Sequence, residues 1–395
     1  MTLAERLAER GEIGGRTVQI NERGEVECAV YPLAPLADGQ VRVRTAISAV
    51  SPGTELTYVG RAATNPYLRK HWDPELRLFV DGAPTQDYPI VFGYRAAGVV
   101  SESRAADVPV GTRIFGKWRH TEYTVLAAAD AAAQRLPDEL TFDDGVDLAQ
   151  MLTICVNAVS FGEDAHRGAP VVVFGCGPIG LIVAQIARAT GAAAVYVVDR
   201  LPERLAIASG LGLETRDATV GDVALELKRQ LGSEAVPVAF ECSGNTRALH
   251  EAIRVVRRRG TVVAVAFECT GSTRALQEAI RTARRRGRVV AVGFYQGEAA
   301  GLFLGDEFHH NGVEIRSGQI GNLHPRWQAG ELRAFGIELV RAKRITLGGL
   351  PRLRLPVDQA AAAFRALSAR EVLQVTLDYS EAHPRDRATA VATGL

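Results

Sequence analysis

A glycine-rich turn between a β-branched stretch and an apolar, Ala-rich stretch carries the clearest chemistry in the sequence. Residues 171–174 (VVVF) are followed at once by glycines in the spacing GxGxxG. Such glycines allow a tight turn, the approach of a pyrophosphate to the backbone, and close packing of the next helix, whose N-terminus attracts phosphate. The pattern predicts a dinucleotide site. The cofactor-binding residues that it predicts in this turn are Gly175, Gly177, Pro178, Ile179 and Gly180.

An acidic residue ends the next predicted strand, residues 194–198. Asp199 follows Gly180 at the distance, about 20 residues, at which a carboxylate can bind both ribose hydroxyls. It favours NAD as the cofactor, because a carboxylate repels the 2′-phosphate of NADP. Arg200 and Arg204 follow, and an arginine can hold that phosphate, so NADP stays open as the alternative.

Length and composition exclude several classes of protein. The 395 residues are enough for two domains with full cores, and 47% hydrophobic content with a net charge of +1 argues against disorder and against a nucleic-acid partner. Five cysteines without a CxxC pair fit a reducing compartment. We see no signal peptide and no apolar run of membrane-spanning length, so we expect a cytoplasmic protein with no membrane partner.

The order of predicted elements indicates two kinds of architecture. Short strands broken by Gly and Pro fill residues 16–136, including one strand over 90–101, and predict an irregular β-barrel. Helical character covers 141–160, and strands then alternate with helices, which predicts a parallel sheet with helices on both faces. A helix near 357–368 and a strand near 373–379 end the ordered chain.

Four further motifs, together with the glycine turn, carry a family resemblance. They are PGTE at 52–55, GYRAAGV at 93–99, HTEY at 120–123 and LQVTL at 373–377. In these the chain resembles the medium-chain dehydrogenase/reductase superfamily, the alcohol dehydrogenase-like enzymes, over residues 16–379. The SPGTE stretch and residues 308–319 resemble a branch that contains bacteriochlorophyllide dehydrogenase.

The resemblance implies an α/β fold class with two domains. A GroES-like irregular β-barrel domain would comprise residues 1–155 and 322–380, and a Rossmann domain with a doubly wound parallel sheet would comprise 156–321, followed by a tail at 381–395. The active site of the family lies in the cleft between its domains. We also expect a homodimer that acts on a small-molecule substrate.

The resemblance also locates the family's catalytic zinc ligands, and this sequence lacks them. Pro52, preceded by Ser51, stands at the place of a Cys, and Tyr94 and Arg95 replace the His and Glu of the family's GHE triplet. A proline cannot bind zinc, and an arginine adds positive charge where the cation would lie. We therefore expect no metal and an enzyme that does not use zinc.

Without zinc, side chains must stabilise an oxyanion and exchange a proton. Thr54 matches the hydroxyl of the family's proton relay. Tyr94 is an acid/base candidate if Arg95 or Lys117 lowers its pKa, and simple packing in the cavity is the alternative. The candidate catalytic residues are Thr54, Tyr94, Arg95, Glu55 and Asn157.

Two roles are open for Arg95, and one role each is expected for His120 and Asn157. Arg95 is expected either to bind a carboxylate or phosphate of an anionic substrate or to form a salt bridge with Glu55. His120 in the HTEY motif is expected to be structural. Asn157 is expected near the reactive carbon of the nicotinamide.

The sequence contains a tandem repeat, whose two copies are residues 239–265 and 266–292. The copies are equal in length and differ at only six places. The repeat either adds a helix and a strand to the sheet, with one long strand at the junction, or leaves one copy outside it. We interpret it as a passive duplication. Further cofactor-binding residues are expected at the ends of its strands: Cys242, Ser243, Gly293 and Phe294.

These observations predict a zinc-independent, NAD(P)-dependent oxidoreductase that transfers a hydride between nicotinamide and a hydroxyl/carbonyl pair of a small or medium metabolite. Two alternatives stay open. One is reduction of a carbon–carbon double bond, as in zinc-free quinone or enoyl reductases. The other is a nucleotide-binding protein without catalysis.

Overall fold

The computed structural model describes most of the chain in two units. The described residues are 14–60, 65–243, 246–257, 260–264, 288–291, 308–311, 314–318, 320–347, 350–369 and 371–380. The first unit comprises residues 1–150 and 350–395, and the second comprises 151–349. Within the described ranges, no helix combines the length and the apolar character needed to cross a membrane.

The strands are β1 (Gly14–Ile20), β2 (Val26–Pro32), β3 (Gln40–Ala49), β4 (His71–Asp73), β5 (Leu78–Val80), β6 (Ile90–Val91), β7 (Ala96–Ser103), β8 (Arg113–Gly116), β9 (Tyr123–Ala127), β10 (Pro170–Phe174), β11 (Ala194–Asp199), β12 (Glu214–Asp217), β13 (Val238–Glu241), β14 (Thr261–Ala264), β15 (Arg288–Ala291), β16 (Glu314–Ser317), β17 (Leu353–Pro356) and β18 (Val375–Asp378).

The α-helices are α1 (Pro52–Glu55), α2 (Ala128–Ala133), α3 (Phe142–Val146), α4 (Leu152–Ser160), α5 (Pro178–Ala189), α6 (Pro202–Gly210), α7 (Val223–Leu231), α8 (Thr246–Val255), α9 (His309–Asn311), α10 (Ala329–Arg341) and α11 (Ala360–Ser368). A π-helical turn, Asp147–Met151, joins α3 to α4, and single 3₁₀ turns lie at Leu56–Tyr58, Pro66–Leu68 and Val357–Gln359.

The first unit is built from antiparallel sheets with one parallel pair. One sheet has the order β2-β1-β6, and a larger one has the order β17-β18-β3-β7-β8 with β9 also paired to β3. The parallel pair is β17 with β18, which brings the end of the chain beside β3. The helix α11 covers an apolar core that includes Val18, Phe92 and Phe364.

The segment predicted as one strand over 90–101 is two strands, β6 and β7, with a break at residues 92–95. Gly93 in the break has φ +113°, and a Cβ added there would lie 2.5 Å from the His120 nitrogen. Only glycine fits this conformation and this space. The single-strand prediction is therefore wrong at the place where Tyr94 and Arg95 lie.

The second unit contains one parallel sheet of seven strands in the order β12-β11-β10-β13-β14-β15-β16. The order runs outward from β10 in both directions, so the sheet reverses between β10 and β13 and creates the crevice where doubly wound folds bind ligands. This confirms the α/β fold with a parallel sheet. The core beneath it includes Val172, Phe174, Val255 and Val262.

Each repeat copy contributes at least one described strand to this sheet. Residues 261–264 of the first copy pair with β13, and residues 288–291 of the second copy pair with 261–264 at equivalent positions, Thr261 with Arg288. The first copy therefore supplies β14 and most of β13, and the second copy contributes a further strand, β15. The junction that we predicted as one long strand lies beyond Ala264, outside the described residues.

The boundary between the units differs from the predicted one. The structure divides the chain at 349/350, whereas we predicted a return to the first domain at residue 322. The helix α10, which follows that residue, packs on α4, and a Cβ at Gly336 would lie 2.9 Å from a methyl group of Leu152. Both helices belong to the second unit, so the chain leaves it only after α10.

Candidate functional site

The three glycines of the turn after β10 have three different reasons to be glycine. Gly175 has φ +99°, and a Cβ on it would lie 2.9 Å from the Ser243 nitrogen. At Gly180 a Cβ would lie 1.8 Å from the Gly175 carbonyl oxygen, so no other residue lets α5 pack this close to the turn. At Gly177 a Cβ would meet no described atom within 4 Å, so the protein itself leaves this space open.

The N-terminus of α5 lies directly beside this open space. Gly177 is the N-cap residue, Pro178 is the first helical residue, and no described side chain caps the helix there. The N–H groups of the first turn and the dipole of a twelve-residue helix therefore face the space over Gly177. This arrangement binds anions, and it is what a pyrophosphate requires.

Asp199 lies at the carboxyl end of β11, beside the turn. Its Oδ2 accepts the Cys176 N–H at 2.7 Å, and its Oδ1 accepts the Arg200 N–H at 2.7 Å and the Leu201 N–H at 3.1 Å. The Arg204 guanidinium lies 3.8 Å from Oδ2. Asp199, the predicted acceptor for the ribose hydroxyls, is thus held in place by three backbone N–H groups, one of which belongs to the turn.

The carboxyl end of β13 completes this region. Cys242 donates its N–H to the Phe174 carbonyl at 2.7 Å, so the two strand ends stay joined. The buried Glu241 accepts the Ser243 N–H at 2.7 Å. Burial raises the pKa of the Cys242 thiol well above its usual range, so the thiol stays protonated at neutral pH. The candidates Gly293 and Phe294 lie outside the described residues.

In the first unit, three hydroxyl groups come together where the resemblance locates zinc ligands. The Tyr94 phenol donates a short hydrogen bond to Ser51 Oγ and also interacts with the Thr54 hydroxyl. Burial, and then the nearby Glu55 carboxylate, raise the pKa of Tyr94, and these effects outweigh the lowering by the two hydroxyls and by Arg95. The hypothesis of a lowered Tyr94 pKa is therefore wrong.

Arg95 points to other partners than the two that we predicted. Its Nη2 contacts Asp147 Oδ1 at 2.6 Å and its Nε donates to the Val146 carbonyl at 3.1 Å, all buried. Asp147 Oδ2 also accepts from Arg352 at 2.8 Å. The guanidinium is thus paired with groups of its own unit. The predicted salt bridge to Glu55 is wrong, and Arg95 no longer gives a reason to expect an anionic substrate.

Glu55 instead binds His120. The carboxylate Oε2 lies 3.0 Å from His120 Nε2, and both residues are buried. His120 Nδ1 lies 2.7 Å from Ser48 Oγ, which lies 3.2 Å from Tyr379 Oη. The two motifs PGTE and HTEY therefore meet through these side chains.

Asn157 has a structural role within the second unit. It is fully buried; its amide nitrogen donates to the Gly318 carbonyl at 2.9 Å, and its oxygen accepts the His324 N–H at 2.8 Å. Both ends of the amide are thus used to join α4 to the segment after β16. The position of Asn157 near the reactive carbon of the nicotinamide stays a prediction.

Four residues of the first unit that support the cluster were not predicted from the sequence: Ser48, Asp147, Arg352 and Tyr379. One of them had a readable signal, because an acid within the apolar stretch GVDLA at 145–149 requires a partner cation once the helix is buried. The others lie in strands or turns far from the motifs, and only the fold shows their contacts.

The donors of this cluster do not fit zinc. Zinc in proteins takes thiolate, imidazole or carboxylate ligands, whereas Ser51 and Tyr94 offer protonated hydroxyls and Pro52 offers no donor. The Arg95 charge lies beside them, held by Asp147. Among the described residues no three His, Cys, Asp or Glu side chains come together as a metal site would need.

Comparison with known proteins agrees with this fold. A family model described as zinc-binding dehydrogenase matches residues 178–267. D-xylulose reductase from Saccharomyces cerevisiae is 35% identical over 135 residues, which are 33% of this chain and 37% of that protein. Over this part, the chain is similar to medium-chain, alcohol dehydrogenase-like proteins. It spans little more than a third of the length of such curated relatives.

Solved structures extend the likeness to nearly the whole chain. The 2R,3R-butanediol dehydrogenase of Bacillus subtilis superposes with a TM-score of 0.65 at 18% identity, covering 92% of this chain and 99% of that one. A zinc-binding dehydrogenase from Sinorhizobium meliloti, solved with NADP, gives a TM-score of 0.65 at 16% identity, covering 93% of this chain and 100% of that one. At these identities the superposition establishes the fold alone.

Proposed function

We propose that this protein is a zinc-independent, NAD(P)-dependent oxidoreductase that interconverts a hydroxyl and a carbonyl group of a small or medium metabolite. The observation that carries the proposal is the open space over Gly177 at an uncapped helix N-terminus, beside the fixed Asp199 carboxylate. We further propose that it acts in the cytoplasm as a homodimer. The bacteriochlorophyllide dehydrogenase-like branch remains our proposal for its nearest functional class.

The residues of the turn fit a dinucleotide and would hold it as follows. The Gly177 backbone and the first N–H groups of α5 would bind the pyrophosphate, and Asp199 would accept the ribose hydroxyls. The negative Asp199 favours NAD, although Arg204 lies close enough to reduce the repulsion of a 2′-phosphate. When bound, the nicotinamide supplies or takes a hydride.

The hydroxyl cluster of the first unit supplies the proton. During reduction the carbonyl carbon gains a hydride, its π electrons move to oxygen, and that oxygen takes a proton. The Tyr94 phenol, which is protonated at neutral pH as phenols ordinarily are, would give that proton, and the Ser51 and Thr54 hydroxyls beside it would return one to it. This geometry favours carbonyl chemistry over the reduction of a carbon–carbon double bond, which needs no proton donor at an oxygen.

The binding step is tested by Gly177→Val. Because a Cβ at this position meets no described protein atom, we expect the variant to fold with an unchanged melting temperature and to bind NADH at least tenfold more weakly, measured by nucleotide fluorescence. Unchanged affinity in the folded variant would contradict the assignment.

Two further measurements test the chemistry. We expect elemental analysis to find no stoichiometric zinc and activity to persist in a strong chelator, and one zinc per chain would contradict this. A panel of alcohols, ketones and enones separates the alternatives: turnover of enones alone, kept by Thr54→Val, would favour double-bond reduction. NADH binding without turnover of any of them would favour a non-catalytic protein.

A further inference from the structure

A cavity of about 480 Å³ lies in the first unit, bordered by the end of β2, by β3 and β9 and by the segment 117–121. It shares no residue with the hydroxyl cluster that contains Ser51, Thr54 and Tyr94. Its volume falls in the range of about 300–1,000 Å³ that is typical of small-molecule sites in proteins. The side chains that line it indicate which kind of molecule it can bind.

The charged side chains of this cavity are all positive. They are Arg42, Lys117 and Arg119, and no aspartate or glutamate is among the described residues that line it. Lys117 and Arg119 are exposed, whereas Arg42 is only 5% exposed. A concave surface with charge of one sign concentrates ligands of the opposite sign. The lining therefore favours an anionic ligand.

Arg42 is a buried cation that keeps unused donors. Its Nε donates to Glu102 Oε1 at 2.7 Å, and its Nη2 donates to the Ala34 carbonyl at 2.8 Å. These two contacts hold the guanidinium in place beside the cavity. A guanidinium has five N–H groups, and Nη1 makes no hydrogen bond with a described residue. An acceptor group in the cavity would satisfy these remaining N–H groups of a side chain that the fold has already positioned.

The aromatic side chains of the lining are fixed by hydrogen bonds at their polar atoms. Tyr31 Oη donates to the Tyr123 carbonyl at 2.6 Å and accepts the Tyr123 N–H at 3.0 Å. Trp118 Nε1 donates to the Thr45 hydroxyl at 3.0 Å, and that hydroxyl donates to the Thr121 carbonyl at 2.6 Å. Since the polar atoms of these rings are used within the fold, the rings offer the cavity their carbon surfaces. Part of the site is therefore preformed and aromatic.

Donors from three segments line the same cavity. Arg42 comes from β3, Arg119 from the segment before β9, and Thr124 from β9 itself. A phosphate group presents three acceptor oxygens that point in different directions, whereas a carboxylate presents two in one plane. Arginine binds phosphate through pairs of N–H groups. This set of donors therefore fits a phosphate group better than a carboxylate.

We propose that this cavity is a binding site for a small aromatic phosphate ester. The phosphate lies between Arg42 and Arg119, and the aromatic ring lies against Tyr31 and Trp118. Lys117 adds positive charge at the exposed edge of the site. The ligand is distinct from the cofactor and from the substrate of the proposed reaction, so the proposal does not rest on the proposed function.

The test is a titration of the full chain, labelled with fluorinated tryptophan, with phenyl phosphate, followed by fluorine NMR. The sequence contains three tryptophans, and the Trp118 signal is the one that remains in both Trp72→Phe and Trp327→Phe. We expect phenyl phosphate to shift the Trp118 signal in a saturable way. Phenol has the same ring without the phosphate, and we expect it to bind at least about tenfold more weakly, because it forms no hydrogen bonds of the charged kind.

Two substitutions at the surface of the same unit separate a specific contact from general attraction. Arg119→Gln removes a lining guanidinium, and we expect it to weaken phenyl phosphate binding about fivefold at an unchanged melting temperature. The matched control is Arg104→Gln, which removes the same charge from an exposed arginine that pairs with Asp38 and does not line the cavity. We expect the control to bind phenyl phosphate as the native chain does.

Three outcomes would overturn the proposal. The first is the absence of a saturable shift of the Trp118 signal with phenyl phosphate. The second is equal affinity for phenol and phenyl phosphate, which would show an apolar cavity without a phosphate site. The third is equal weakening in Arg119→Gln and Arg104→Gln, which would show that the surface charge of the unit attracts the anion without a specific contact.

Discussion

The nucleotide end of the second unit and the hydroxyl cluster of the first unit are built in opposite ways. The turn at 175–180 and Asp199 are separated in the sequence by a single helix and strand, and the hydrogen bonds that Asp199 accepts come from backbone N–H groups close to it in the sequence or in the turn. The cluster around Tyr94 joins side chains from residues 48 to 379, and buried charges such as Asp147 support it. We expect the first region to fail through sterics and the second through unpaired buried polar groups.

The largest effect should come from the buried charges of the first unit. Asp147→Ala leaves the guanidinium groups of Arg95 and Arg352 without their shared carboxylate. Removing one partner of a buried ion pair typically costs about 3–5 kcal/mol, and we expect a loss of this size in the free energy of unfolding, measured with urea.

The matched control is Asp38→Ala in the same unit. Asp38 pairs with Arg104 at 3.5 Å, but its side chain is 98% exposed, so we expect no measurable loss of stability. Equal losses in the two variants would show that burial does not decide the strength of these pairs.

A smaller effect is expected from sterics at the turn. Gly180→Ala brings a Cβ to 1.8 Å from the Gly175 oxygen, and the helix must move to relieve it. We expect a loss of about 1–3 kcal/mol in the free energy of unfolding of the folded variant. Gly210→Ala is the control, because it is also helical and its Cβ would meet no described atom within 4 Å. There, helix propensity predicts a gain of up to about 1 kcal/mol. A gain at both positions would refute the clash at Gly180.

The repeat allows a test of whether either of two similar copies can form the same part of the sheet. Deleting 239–265 or 266–292 leaves one copy, and we expect both shortened chains to fold and bind NADH. The first copy should be the better one to keep, because Val255 and Val256 are buried under the sheet and their counterparts are Thr282 and Ala283.

We expect deletion of 239–265 to lower the free energy of unfolding by about 1–2 kcal/mol more than deletion of 266–292. Loss of folding in both shortened chains would show that the seventh strand is an integral part of the sheet. That result would end our interpretation of the repeat as a passive duplication.

The smallest effect concerns cofactor choice. Asp199→Gly removes the carboxylate that repels a 2′-phosphate and leaves Arg204 and the exposed Arg200 near it. We expect the ratio of NADH to NADPH affinity to fall about tenfold, or about 1.4 kcal/mol. A native preference for NADPH would contradict the proposed role of Asp199. The affinity ratio of the variant is interpreted only if the variant keeps the native melting temperature.

The dinucleotide turn could be predicted from the sequence because its chemistry is local. Strand, glycines, helix and acid follow one another. Gly175 and Gly180 are required by nearby backbone atoms, and Gly177 leaves open the space at the helix N-terminus. The parallel sheet followed in the same way from alternating elements. The position of the second repeat copy did not, because two nearly identical strands have the same pairing preferences.

The partners of Tyr94, Arg95 and Asn157 were decided only by the tertiary structure. The motifs show which residue types stand near one another in the chain, and they suggested Glu55 as the partner of Arg95. In the structure Arg95 is buried beside Asp147, which also pairs with Arg352. A buried charge takes whichever partner satisfies it with the best geometry, and that partner lay 52 residues away. Local spacing determines backbone geometry, whereas the satisfaction of buried polar side chains depends on which segments the fold brings together.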